Sequence, residues 1–160
     1  MKELGFNYLS TTNEKISKAL ISKYSEPYIQ FIYTGETIKD FESKLVLLKN
    51  EDLEYVKETY GKPEYVEEIQ QKKKIWALYN DNDMIGYVME HLDGTTGGLY
   101  TKPGYRRKGY GYVLLLEGFS KVKKFVRHSQ VAFDNIASIK LHEKLNCVRA
   151  KIIIYWNWNK

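Results

Sequence analysis

The chain has 160 residues, 43% of them hydrophobic and 14% aromatic, with one cysteine and three histidines. One domain of this size buries about two-thirds of its unfolded surface without a disulfide or metal staple, and the composition excludes global disorder. The longest apolar runs, Val113–Leu116 and Ile152–Trp156, fall far short of the ~20 residues that span a bilayer. The first residues carry no signal-peptide core, and Cys147 with scattered histidines makes no zinc set, so the expectation is a cytoplasmic domain with no membrane span and no metal.

Residues 13–24 place Ile16, Ala19, Leu20 and Tyr24 at helical spacing. Tyr28–Tyr33 and Lys44–Leu48 read as strands, and Asn50 stands where it can cap a helix whose inner face is Leu53, Val56 and Tyr60. Gly61-Lys62-Pro63 ends that helix and opens the next, 63–73. The period then changes: Ile75–Tyr79, a turn at Asn80–Asp83, and Met84–Glu90 predict a hairpin, followed by a turn at Leu92-Asp93-Gly94 and a strand over 96–101. Tyr112, Leu115, Leu116, Phe119, Val122 and Val126 mark a strong helix, in which Gly118 costs about 1 kcal/mol and asks for tertiary packing. A strand over Gln130–Asp134, a helix opened by Asn135 and running to about Leu145, and an irregular strand Val148–Trp158 complete the chain. The order implies an α+β fold with a central mixed β-sheet flanked by helices.

The net charge of +5 is unevenly spread. Residues 1–80 hold 12 basic and 13 acidic residues, whereas residues 81–160 hold 13 and 7, with all four arginines. The asymmetry points to an anionic partner, a phosphate-bearing cofactor or nucleic acid, or else to a solvated lysine-rich surface. Arg106-Arg107-Lys108-Gly109-Tyr110-Gly111 concentrates it where a strand ends and a helix begins. A helix start leaves about four N–H groups unpaired and adds roughly half a positive charge, and glycines let an anion approach the backbone, so the segment reads as a diphosphate cradle or a glycine turn with solvated cations. Gly104 and Gly109 have the spacing of a Walker A loop, but Tyr110-Gly111 follow in place of Lys-Ser/Thr. A dinucleotide fingerprint needs a third glycine where Leu114 stands.

Arg106-x-x-Gly109-x-Gly111, with its lead-in Leu99-Tyr100-Thr101-x-Pro103-x-Tyr105, resembles motif A of the GNAT N-acyltransferase superfamily. Asn135-x-x-Ser138-Ile139-x-Leu141-His142-Glu143-Lys144-Leu145 resembles the superfamily's second signature, at the expected distance. The likeness covers about 75–158, the helix pair before it fits, and 1–42 match loosely within one GNAT-like domain over 1–160. The Gly-Leu-Tyr-Thr-Lys-Pro-Gly-Tyr-Arg-Arg-Lys-Gly-Tyr-Gly stretch also resembles glycine-conjugating members. The resemblance implies acetyl-CoA or another acyl-CoA as co-substrate. Its diphosphate would lie on N–H groups from Arg107 through Lys108, Gly109 and Tyr110 to Gly111, with Arg106, Arg107 and Lys108 as counter-charges. Its pantetheine arm would pair with Leu99, Tyr100 and Thr101 and meet Asn135, Ser138 and His142. An N–H near Thr101 would polarise the thioester carbonyl, and an amine on a small molecule, amino acid or peptide would attack directly.

The chain departs from the pattern at three places. Asn146-Cys147 replace Gly-Phe, His142 stands where tyrosine is common, and no carboxylate precedes motif A on its strand. Asn tolerates the left-handed conformation that a helix end asks for. His142 would then take the role of protonating the departing thiolate, or act as a surface or pantetheine contact. Glu90, foremost, with His91 and Asp93, is the candidate base around the hairpin, against a reading as turn residues. Cys147 reads as structural. Tyr24, Tyr28, Phe31, Tyr33 and Tyr155–Trp158 would line an acceptor cleft or fill the core. A CoA-binding domain without catalysis and a basic nucleic-acid module are the rival functions, the latter without any visible single-strand-binding motif. The expected state is a monomer or homodimer.

Overall fold

The computed structural model describes residues 8–19, 24–35, 43–122 and 126–158. In chain order these form β1 (Tyr8–Thr11), α1 (Glu14–Ala19), β2 (Tyr24–Tyr33), β3 (Val46–Leu47), α2 (Leu53–Tyr60), α3 (Pro63–Gln71), β4 (Ile75–Asn80), β5 (Asp83–Glu90), β6 (Thr96–Thr101), α4 (Tyr110–Lys121), β7 (Arg127–Ala132), α5 (Ile136–Lys144) and β8 (Val148–Trp158). Among the described residues no helix is long and apolar enough to cross a membrane.

Local chemistry sets many of the boundaries. Gly61, at φ 78°, closes α2 in the left-handed conformation, and Pro63 opens α3 at a position that needs no N–H. Asn135 caps α5 by accepting the Ser138 N–H at 3.1 Å. Asn146, at φ 55°, turns the chain out of α5, as an asparagine in place of glycine can.

Elsewhere tertiary contacts override the local signals. Asn50 starts a short 3₁₀ turn instead of capping α2, and Asp52, now beside the helix start, is drawn off to accept the Tyr79 hydroxyl at 2.7 Å. The first helix ends at Ala19 within the described residues, 20–23 lie outside them, and β2 starts at Tyr24 because it pairs with β8 from there on. α4 stops at Lys121 with Val122 extended, short of the expected Val126. β7 starts at Arg127 and ends at Ala132, a shift fixed by its pairing of Tyr33 with Arg127 and Tyr28 with Ala132. β1 was unmarked in the sequence and exists as an edge strand on β8.

Among the described residues the strands form two four-stranded sheets, ordered β1-β8-β2-β7 and β3-β4-β5-β6, and every ladder is antiparallel. β6 and β7, joined through α4, lie side by side as the inner edges of the two sheets and share no ladder. α2 and α3 cover one face of β4 and β5, where Val56, Val66 and Ile69 meet Ile75, Ala77, Tyr87 and Met89. α4 runs beneath both sheets. Leu114 packs with Leu78, Ile85 and Val88 of one sheet, while Leu115 and Phe119 pack with Ile29, Phe31 and Val131 of the other. The fully buried Glu117 ties the segment before β3 to this helix, accepting from the Ser43 hydroxyl at 2.8 Å and the Leu45 N–H at 3.0 Å.

Gly118 shows why α4 carries a helix-weakening residue. A Cβ there would lie 2.9 Å from Val88 Cγ2 and 3.2 Å from Thr96 Cγ2, so its absence sets the distance between α4 and the sheet. Gly118→Val is expected to destabilise the fold by about 1–3 kcal/mol through overpacking, despite better helix propensity, as read from the urea unfolding midpoint.

Candidate active site

The turn after β6 is built as a rigid bracket. Lys102 Nζ and the Tyr105 hydroxyl both donate to Asp83, at 2.9 and 2.7 Å, and together hold its carboxyl below the usual range. The Lys102 N–H bonds the Ile85 carbonyl at 2.9 Å. Arg107 and Gly109 then take left-handed conformations, at φ 61° and 87°, and α4 begins. The N–H groups of Tyr112 and Val113 both turn to the Gly109 carbonyl, so those of Tyr110 and Gly111 precede the helical ladder. A Cβ on Gly109 would meet nothing within 4 Å, so the glycine leaves that face of the backbone open. The residues therefore fit an anionic group.

The three cations differ in their surroundings. Arg106 Nε donates to the Thr101 carbonyl at 2.9 Å, and its guanidinium lies 5.6 Å from the Tyr100 ring centre. Lys108 Nζ lies 5.7 Å from the Tyr105 ring, and both Arg107 and Lys108 are exposed at the helix mouth.

β6 carries a bulge. Tyr87 pairs with Tyr100 and Met89 with Gly97, so Gly98 and Leu99 together face Val88. Gly98 takes φ 57°, and an extra residue of this kind leaves peptide groups outside the ladder. The glycine pair Gly97-Gly98 was the available sequence signal for it. Thr101, by contrast, is ladder-paired with Gly86, and Tyr100 stacks on Tyr87 at 5.5 Å with its hydroxyl 3.3 Å from that of Tyr55. Leu99 is half-buried between the cores beneath the two sheets.

On the β7 side, Asn135 and Ser138 stand at the start of α5, and His142 lies one turn further in, 3% exposed. Its ring stacks on Phe31 at 4.9 Å and meets Phe119 edge-on at 6.4 Å. Nδ1 lies 2.7 Å from the Ser138 carbonyl, which can only accept, so Nδ1 carries the hydrogen. Nε2 is buried without a protein partner among the described residues. Burial holds the imidazole below its ordinary 6.5, with the Ser138 bond opposing, so at neutral pH Nε2 offers a lone pair and not a proton. Cys147 is also buried, its thiol pushed up to about 11, which leaves it inert at neutral pH.

The remaining candidates separate clearly. Glu90 is ion-paired with Lys74 at 2.5 Å. Asp93 shapes the β5–β6 turn, accepting from the Thr95 N–H at 2.9 Å and hydroxyl at 2.7 Å. His91 turns into a cavity of about 280 Å³ that Tyr28, Tyr60, Tyr65, Gln130 and Trp156 wall with it, and Lys62 and Asp93 border. The aromatics thus divide: Tyr28 and Trp156 line the cavity, Phe31 is fully buried in the core, and Tyr33 stacks on Phe119. The Tyr24 and Trp158 side chains lie outside the described residues. The helical spacing put Tyr60 on the inner face of α2 but marked neither it nor Tyr65 as a cavity residue, because only the packing of α2 and α3 brings them to His91. Among the described residues no group of three or more His, Cys, Asp or Glu side chains could hold a metal ion.

A split antiparallel sheet with a helix start at the mouth of the split defines a known architecture. An acetyltransferase from the GNAT family of Colwellia psychrerythraea superposes with a TM-score of 0.68 at 11% identity, over 95% of this chain and 64% of that one. A GCN5-related N-acetyltransferase from Kribbella flavida gives 0.55 at 11%, over 87% and 60%. A Drosophila protein gives 0.68 at 12%, over 84% and 51%, so the chain spans about half to two-thirds of the length of these structures. No curated protein matches it. The sequence model of the acetyltransferase (GNAT) family matches residues 43–146, and the chain belongs to that family.

His91 and His142 are both held below 6.5 in the fold, so near that pH the unfolded chain binds more protons than the folded one. Neither histidine therefore costs stability above about pH 6.5, and each costs progressively more as pH falls toward its folded value. Urea midpoints between pH 7.5 and 5 are expected to fall, and to fall less in His142→Phe. An equal decline in that variant would mean that the His142 imidazole is not held neutral by its burial.

Proposed function

We propose that the chain is an acyl-CoA-dependent N-acyltransferase, acting on an amine by direct transfer. The observation that carries this is the coincidence of an open, cationic helix start with two neighbouring strands, β6 and β7, whose facing edges share no ladder. The family membership supports it.

In this reading the N–H groups of Tyr110 and Gly111, with the positive end of α4, hold the cofactor diphosphate, and Arg107 and Lys108 supply counter-charge. Arg106, bonded to the Thr101 carbonyl, braces the turn and has less reach toward phosphate. The free edge of β6 from Leu99 through Tyr100 to Thr101 hydrogen-bonds the pantetheine arm, and Asn135 and Ser138 border the same slot from α5. Acyl-CoA supplies, when bound, an acyl thioester. The bulge at Gly98–Leu99 offers peptide N–H outside the ladder, and a donor of this kind aimed at a developing oxyanion contributes on the order of 3 kcal/mol. His142 serves as a neutral hydrogen-bond acceptor in the slot, so the thiolate takes its proton from elsewhere.

The cations of the turn are tied to this cleft through Thr101, Tyr100 and Tyr105, which favours a single bound anion over an extended nucleic-acid track. Gly109→Glu is expected to weaken CoA binding by over 100-fold in calorimetry, because a carboxylate would enter the open face and repel the diphosphate. The φ of 87° strains any side chain by about 1–2 kcal/mol, so Gly109→Ala is the control. It should lose stability yet keep most of its CoA affinity. Equal affinities for wild type and the glutamate variant would remove the cradle.

A further inference from the structure

The cavity in front of the β6–β7 split has a chemistry that acyl-CoA does not explain. Its walls come from five elements and are rich in aromatic rings: Tyr28, Tyr60, Tyr65 and Trp156 surround His91. Trp156 is fixed by donating its indole N–H to Gln130, whose amide nitrogen lies 3.4 Å from Asp93. Flat apolar walls of this kind favour a flat apolar body, and they attract a cation by their ring faces.

His91 is the one imidazole in this wall, and it is placed for proton transfer. Its backbone is locked, with N–H bonded to the Thr95 carbonyl and C=O to the Gly94 N–H, both at 2.8 Å. Nδ1 lies 2.9 Å from the Tyr65 hydroxyl. Nε2 points across the face of Gly97, where a Cβ would come within 2.5 Å of it, one residue before the bulge. Gly97 therefore makes room for the ring beside the point where the acyl carbon would lie. We propose that this cavity seats the acceptor, an amine with a flat apolar body, and that His91 Nε2 takes the proton from its ammonium group.

The inference rests on the acyl-transfer reading. The ammonium gives one proton to Nε2, and Nδ1–H then donates to the Tyr65 oxygen, which stabilises the imidazolium. The freed nitrogen lone pair forms the C–N bond to the acyl carbon and the C–S bond breaks. The sulfur leaves with that electron pair and takes the second proton from nitrogen, while the proton on His91 passes to water. Tyr65 is a positioning residue in this scheme. The groups that face His91 are Tyr60 and Lys62 of the α2–α3 junction, Tyr65 of α3, Tyr28 of β2 and Asp93 of the turn, with Glu90 behind it paired to Lys74. Burial, and to a lesser degree Lys62, hold the imidazole below 6.5 while Asp93 opposes them, so it is neutral and able to accept at pH 7.

The test compares the pH dependence of kcat/KM for acetyl-CoA and 2-phenylethylamine in wild type, His91→Gln and Tyr65→Phe. An alkyl amine has a pKa near 10. With an internal base, kcat/KM is expected to be nearly flat from pH 7 to 9. Without one only free amine reacts, so His91→Gln is expected to rise about tenfold per pH unit and to fall at least 100-fold below wild type at pH 7. Tyr65→Phe should lie between. Putrescine, a diamine without an aromatic body, should be a poorer substrate by tenfold or more. Without any acyl donor, 2-phenylethylamine should shift the His91 ring ¹⁵N resonances and quench Trp156 emission, an effect lost in Trp156→Leu. Identical pH profiles in wild type and His91→Gln, or no shift of the His91 resonances at saturating amine, would overturn the proposal. Calorimetry with CoA alone separates the two readings: normal CoA affinity with a failed amine test sinks only this inference, and absent CoA binding sinks the acyl-transfer reading itself.

Discussion

β6 and β7 end side by side with their inner edges unpaired, and the chemistry of the site grows from that arrangement. Each strand is committed on its other side, β6 to β5 and β7 to β2, and α4 passes beneath both with Leu114 toward one sheet and Leu115 and Phe119 toward the other. The bulge at Gly98 further breaks the pleat of β6 where it would face β7. Backbone N–H and C=O groups in a partly buried cleft cost about 1–3 kcal/mol each when nothing meets them. In the proposed function a ligand arm carrying its own amides relieves that cost.

Electrostatics adds direction to this slot. The positive half of the chain gathers its charge where α4 starts, yet the three cations have different tasks. Arg106 clamps the end of β6, Lys108 lies by Tyr105, and Tyr105 with Lys102 anchors the turn to Asp83 on β5. The turn is thereby fixed before any ligand arrives, which lowers the ordering cost of binding. The acid that anchors it lies about 20 residues upstream at the start of β5, so one charged pair and one phenol couple the turn before α4 to the sheet. The aromatic cavity around His91 is built from different elements, with Tyr28, Tyr60, Tyr65 and Trp156 in its wall.

The glycine turn, the Asn135 cap and the Asn146 turn were legible because each depends on residues within a few positions of one another. α4 was legible from its apolar spacing, but the reason for Gly118 was not, since it lies in Val88 and Thr96 of two different strands. The start of β7 and the existence of β1 follow from pairing with strands far away in the chain, where local propensity says little. His142 stood out in the sequence as a candidate, whereas its neutral state depends on Phe31, Phe119 and the Ser138 carbonyl closing around it. The cavity was least legible: Tyr65 and His91 are 26 residues apart, and only the seat of α3 on the sheet makes them a pair.

Amide hydrogen exchange, read residue by residue with and without saturating CoA, tests the central claim most directly. Slowed exchange confined to Gly98–Thr101 of β6 and to Tyr110–Gly111 at the start of α4, with α2 and α3 unchanged, is the predicted result. CoA that binds while those amides exchange at their free rate would contradict the account, because the slot and the cradle would then not be where the cofactor lies.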